Sequence, residues 1–134
     1  MEAATVNENN SGSWSNVGLW ILQVGLAAMF LMAGAGKLSG DPMMVGMFEK
    51  IGFGQWFRYL TGSLEVLGAI GLLTPIASGL AALGLVFVMI GAVLTHLVIL
   101  GGSPVPALVF LVASAGIAWG RRSHVIALLR RFAK

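Results

Sequence analysis

The run IASGLAALGLVFVMIGAVLTHLVIL, Ile76 to Leu100, contains His96 but no Asp, Glu, Lys or Arg. As a helix it is long enough to cross the roughly 30 Å of hydrocarbon in a bilayer. Three further apolar runs accompany it, from Val17 to Leu38, Phe57 to Leu73 and Val105 to Trp119. The shortest rises only about 22 Å, so it either continues into the C-terminal tail or crosses where the bilayer is thin. Lipid offers no partner to backbone N–H and C=O groups, so each run must be helical, and four of them in 134 residues make one small bundle. The expected fold is an all-α membrane protein, a four-transmembrane-helix bundle over residues 17–120. A disordered polar tail precedes it at 1–16, and a basic amphipathic cytoplasmic tail follows at 121–134.

Composition agrees with that reading. The chain is 57% hydrophobic and 10% charged, with a mean hydropathy of +0.91, more apolar than a soluble domain needs to fill its core. The opening MEAATVNENNSGSWSN is polar and acidic and lacks a basic n-region, so the first apolar run is expected to be a span and not a cleaved leader. Of the eight basic residues, Arg121, Arg122, Arg130, Arg131 and Lys134 follow Gly120, where no acid occurs. The positive-inside rule puts that tail in the cytoplasm, and an even number of spans puts the N-terminus there too. Trp20, Trp56 and Trp119 fall at the expected span ends, as interfacial tryptophans do. The basic balance therefore reports orientation and contact with the lipid bilayer, and no nucleic-acid partner is expected.

The chain has no cysteine, which removes dithiol chemistry, iron–sulfur ligation and thiolate zinc sites from this chain acting alone. No nucleotide loop, serine elbow or zinc motif occurs, no metal site is expected, and no covalently bound cofactor is expected. The segment SGDPMMVGMFEKIGFGQWF places Met43, Met44, Met47, Phe48 and Ile51 on one face of a short helix, either a linker at the headgroups or a lid over something beneath it. The tail RRSHVIALLRR sets Val125, Leu128, Leu129 and Phe132 at helical spacing, suited to lying on the membrane surface, and His124 on its polar face is given no chemistry.

Chemistry concentrates in three ionisable residues within the spans. Such groups cost about 2.5 to 3.5 kcal/mol at mid-helix on insertion scales, so they turn inward and find partners. Glu65 lies about 12 Å below the outer interface, His96 about 6 Å from the outer end of the third span, and Lys37 at the outer end of the first. All three fall in the outer half of the bundle. Glu65 shares a face with Gly62, Gly68 and Ala69, a small-residue surface suited to close helix approach. Lys37 lies on one stripe with Gln23, Ala27, Phe30 and Gly34, which makes Gln23 and Lys37 markers of the interior face of the first helix. Paired with Lys37, Glu65 is a clamp between helices. Unpaired, it is a proton carrier or a hydrogen-bond donor to a ligand, and the sequence leaves both open. The candidate catalytic residues are Glu65, His96 and Lys37. The candidate ligand-binding residues are Gln23, Phe48, Trp56, Arg58 and Tyr59, of which Arg58 and Tyr59 either close the outer mouth or anchor the interface.

The segments MFLMAGAGKL, FRYLTGSLEVLGAIGLLTP and VMIGAVLTHLVILGGSPVPAL together resemble the DoxX-like family of small four-helix membrane proteins. The resemblance runs from about Leu19 to Arg122 and rests on Gly34 with Lys37, on Gly62, Glu65 and Gly68, and on Ala92 with His96. It implies a multi-pass protein of the bacterial cytoplasmic (inner) membrane, in a family named after a subunit associated with terminal quinol oxidase and thiosulfate:quinone oxidoreductase activity. The first span opens SNVGLWILQ, without the arginine that commonly heads it in DoxX proper, which places the chain in the looser DoxX-like group. The expected function is an oxidoreductase-associated subunit whose intramembrane polar pocket takes quinone or a small apolar ligand, together with a redox or membrane partner protein. Two alternatives from other classes are a proton-coupled small transporter and a non-catalytic membrane assembly factor. An acid in the second span and a strongly basic tail count against the transporter.

Overall fold

The computed structural model describes residues 2–133, with side chains from Trp14 onward. Most of the tail expected at 1–16 lies outside the described side chains, and Lys134 lies outside the described residues. Six helices follow one another: α1 (Glu2–Ser39), α2 (Pro42–Ile51), α3 (Gln55–Leu72), α4 (Ser78–Thr95), α5 (Val105–Gly120) and α6 (Arg122–Ala133). A π-helical turn, His96–Leu100, extends α4. No strand occurs among the described residues.

The first apolar run makes up the C-terminal part of α1, and the other three match α3, α4 plus its π turn, and α5. These pack in a closed ring, α1 on α3, α3 on α4, α4 on α5 and α5 back on α1. Two helices are long and apolar enough to cross a membrane, Trp14–Ser39 and Ser78–Leu100. A third candidate is Val105–Gly120 taken together with Arg122–Ala133, two helices bent by 65°. The polar Gln55, Arg58 and Glu65 lower the hydropathy of α3 relative to these. The bend leaves α6 at an angle to α5, so the tail does not prolong α5 in a straight line.

The ring is tightened where side chains are smallest. A Cβ on Gly34 of α1 would meet Val66 Cγ2 at 2.6 Å and the Gly62 carbonyl at 2.8 Å. Only glycine lets α1 and α3 approach this closely, and the crossing sets Lys37, one turn beyond Gly34, next to α3. Around it the core is apolar: Leu26, Ala27, Phe30, Ala69, Leu72, Ala82, Leu85, Met89 and Ile117. Large apolar residues also cover the exterior, with Val112 at 70% exposure and Phe87 at 66%, whereas Gln23, Glu65, Ser78 and Ser114 are buried. Apolar outside with polar groups inside suits a lipid surround, where the exterior has no need of charge.

At one end of the ring lies α2. Asp41 caps it by accepting the Met43 N–H at 3.1 Å, Pro42 starts it, and Gly52 ends it at φ +89°, a left-handed conformation that favours glycine. Of the expected apolar face, Phe48 is buried, whereas Met43 is 70% exposed and turns away from the bundle. At the other end Arg121 corrects the reading of a five-charge tail. It folds back into the bundle, donating to Gln23 Oε1 and Asn16 Oδ1, each at 2.8 Å, and is only 8% exposed. Gln23 in turn donates to the Leu72 carbonyl at 2.7 Å, at the last residue of α3. This network ties α1, α3 and the α5–α6 bend together.

Candidate functional site

The glycine crossing of α1 and α3 determines the chemistry of the site. With the helices this close, Lys37 Nζ reaches Glu65 Oε1 at 2.7 Å. Glu65 is 2% exposed and the Lys37 side chain 15%, so the pair is withdrawn from solvent. The structure thus resolves what the sequence left open: Glu65 is paired, and the pair joins α1 to α3. Arg58, two turns ahead of Glu65 on α3, holds the last turn of α1. It donates one terminal nitrogen to the Lys37 carbonyl and Nε to Gln55 Oε1 at 2.7 Å. That satisfies an α1 carbonyl left without an intrahelical partner and places a cation at the helix C-terminus, both favourable.

Beside the ion pair lies a cavity of about 570 Å³, within the range of small-molecule sites. Lys37 and Ala33 of α1, Glu65 and Thr61 of α3, Ala92 and Thr95 of α4, and His96 at the start of the π turn all line it. From α5 come Pro106, Ala107 and Phe110. Its roof is α2, through Met44, Met47, Phe48 and Ile51. Phe48 packs against Phe57 with ring centroids 5.8 Å apart, and Lys50 reaches across to donate to the Leu100 carbonyl at 3.1 Å. The lid alternative for this segment therefore matches its position.

The polar groups facing the cavity are few and of different kinds. His96 Nδ1 lies 3.4 Å from the Gly101 carbonyl, within the loop that closes the π turn. Thr61 and Thr95 donate their hydroxyls to the Phe57 and Gly91 carbonyls at 2.9 and 2.7 Å, which leaves their oxygens free to accept. An ammonium, a carboxylate, an imidazole and two hydroxyls in an otherwise apolar chamber can orient one compact polar head among greasy walls. They can also exchange protons with it.

The structure therefore brings together Lys37, Glu65, His96 and Phe48 of the residues singled out in the sequence. Gln23 lies on the same α1 face but about 21 Å along the helix, in the Arg121 network at the other end. Trp56 and Tyr59 point outward, Trp56 donating to the Phe53 carbonyl at 2.7 Å and Tyr59 lying under the Arg58 guanidinium at 4.3 Å. Arg58 is buried yet does not line the cavity and positions Lys37 instead. Sequence reasoning did not single out Thr61, Phe87 or Phe110 as cavity-lining, nor the Gln23–Arg121 bond. Thr61 was in reach of helical arithmetic, since it lies four residues before Glu65 on the same face. Among the described residues no cluster of His, Cys, Asp or Glu is placed to hold a metal ion.

Comparison with known proteins bears on the whole bundle. An uncharacterized protein of Bacillus subtilis (strain 168), YdgD, is 32% identical over 81 residues, which cover 58% of this chain and 71% of that relative. No solved structure matches the chain. The profile of the DoxX-like family matches residues 21–127, a stretch that contains the ring, the roof and every cavity-lining residue. With most of its length matched and its apolar exterior enclosing a few buried polar groups, the chain is a membrane protein of the DoxX-like family.

Proposed function

We propose that the cavity beneath α2 binds quinone or a similar small, largely apolar ligand, and that the protein serves as the membrane subunit of an oxidoreductase system. One observation carries the reading: Lys37, Glu65 and His96, from three different helical segments, all open into one apolar chamber. In this arrangement α1, α3, α4 with its π turn, and α5 are four spans of the bacterial cytoplasmic membrane. Both termini face the cytoplasm, where Arg122, Arg130 and Arg131 meet anionic headgroups. The roof and the polar groups then lie towards the outer face.

The residues suit a quinone head in distinct ways. The Lys37 ammonium and the His96 ring offer donors to the two carbonyl oxygens, while Phe48 and Phe110 supply flat apolar contact. Reduction of a quinone to its quinol takes two electrons and two protons. The electrons come from a partner redox protein and the two protons from water: the Lys37–Glu65 pair, acting as a unit, relays one to the oxygen it faces and His96 relays the other, with the Lys37 ammonium stabilising the negative charge that develops on oxygen. Pairing with Lys37 keeps Glu65 from acting as a lone carrier, which favours a ligand site over a proton-coupled transporter.

The test is mass spectrometry of the protein purified from native membranes in mild detergent. Quinone or another apolar ligand is expected to co-purify with the wild type and to be lost in Glu65→Gln. A folded wild-type protein that carries only bulk phospholipid, indistinguishable from the variant, would overturn the proposal.

A further inference from the structure

The cavity has an opening, and its position says where a ligand comes from. Helices α3 and α4 are locked together near the turn that joins them: a Cβ on Gly68 would meet Leu85 Cδ2 at 2.6 Å, and one on Gly71 would meet Ala81 Cβ at 2.6 Å. Farther towards α2 the seam between the same two helices belongs to the cavity. Leu60 and Leu64 of α3 and Phe87 and Gly91 of α4 line it, and all four are also exposed on the outside of the bundle. A Cβ on Gly91 would meet nothing within 4 Å, so one jamb of this gap is open space. The two ends of the bundle on either side of the cavity are filled. Buried Phe48 and the Lys50 to Leu100 bond close the α2 end, and the buried core residues Leu72, Leu85 and Ile117 fill the bundle below.

We infer that the α3–α4 gap is a lateral portal through which a membrane-dissolved amphiphile passes sideways from the bilayer into the cavity. The inference rests on the ligand site proposed above and adds the route and the ligand's class. The portal is apolar on both jambs, whereas the chamber behind it is furnished with Lys37, Glu65, His96 and two threonine hydroxyls. A molecule matched to both has a compact head with hydrogen-bonding oxygens and an apolar tail. The head occupies the chamber and the tail trails through the gap between Leu64 and Phe87 into lipid. Water-soluble compounds of the same head reach the site poorly, because the water-facing end is roofed.

Glycine positions provide a controlled test. Gly91→Trp fills the portal from one side and Leu64→Trp from the other. Gly84→Trp, two turns away on α4 and also with nothing within 4 Å of a Cβ, adds the same bulk outside the cavity. Full-length protein in phosphatidylcholine vesicles is photolabelled with a diazirine-tailed benzoquinone, with and without excess decylubiquinone, and the sites and initial rates of labelling are read by peptide mass spectrometry. Size-exclusion profiles confirm that each variant is folded. Competed labelling at cavity residues is expected in the wild type and in Gly84→Trp, with a fall of about tenfold or more in both portal variants. Competed labelling that continues at the wild-type rate in Gly91→Trp and Leu64→Trp would overturn the portal while leaving the ligand site standing. No competed labelling in the wild type would overturn both.

Discussion

Removing one member of the Lys37–Glu65 pair should cost far more than removing both. With Glu65 2% exposed and the Lys37 side chain 15%, Glu65→Leu leaves an ammonium facing an apolar chamber with its only carboxylate gone. Breaking a buried pair in this way costs about 3–5 kcal/mol, whereas replacing both members with apolar residues of similar volume is near neutral. For a chain of this size that corresponds to a drop of roughly 10–20 °C in melting temperature for the single variant, with most of it recovered in Lys37→Met/Glu65→Leu. The assay is thermal unfolding of detergent-purified protein followed by size-exclusion fluorescence, over a complete double-mutant cycle. If Glu65→Leu melts within about 2 °C of the wild type, the pair is not desolvated. If the double variant melts as low as the single, the loss comes from packing, and the reasoning fails.

Other outcomes follow from the same geometry. Gly34→Ala should destabilise by about 1–3 kcal/mol, because its Cβ collides with Val66 and the Gly62 carbonyl; Gly36→Ala, with nothing within 4 Å, is the matched control in the same melting assay. Gln23→Leu should cost about 1–3 kcal/mol by stripping the Leu72 carbonyl of its donor and Arg121 of an acceptor, again read by melting temperature. Lys50→Met should loosen the roof alone, raising hydrogen exchange across Pro42–Ile51 while leaving α3 and α4 protected.

The four helices of the ring were legible because each is an apolar run, and in lipid such a run must make its backbone bonds internally. The pairing of Glu65 with Lys37 was half legible: helical phase put each on a small-residue face, but only the glycine contact of Gly34 with Gly62 shows that the faces meet. Gln23 misled for a physical reason. A helix stripe fixes the direction in which a side chain points but not what waits there, and fourteen residues separate Gln23 from Lys37 along that stripe. Arg121 was hidden among four other cations, since nothing local distinguishes a charge that folds back to Gln23 from one that stays at the surface. Trp56 and Tyr59 are aromatic and close in sequence to Phe57, yet helix α3 turns Phe57 alone to the cavity. The π turn that carries His96 has no sequence signature that would have announced it.

The central claim is that the paired charges furnish a ligand site as well as a clamp. The stability-matched variant Lys37→Met/Glu65→Leu separates those roles, because it keeps the fold and removes the polar groups. The most direct measurement is saturable binding of decylubiquinone to reconstituted wild-type protein and to this double variant, by equilibrium partitioning between protein-bearing and protein-free vesicles. The account predicts saturable binding to the wild type near one ligand per chain and none above background in the double variant. Equal binding by both, or none by a folded wild type, would contradict it.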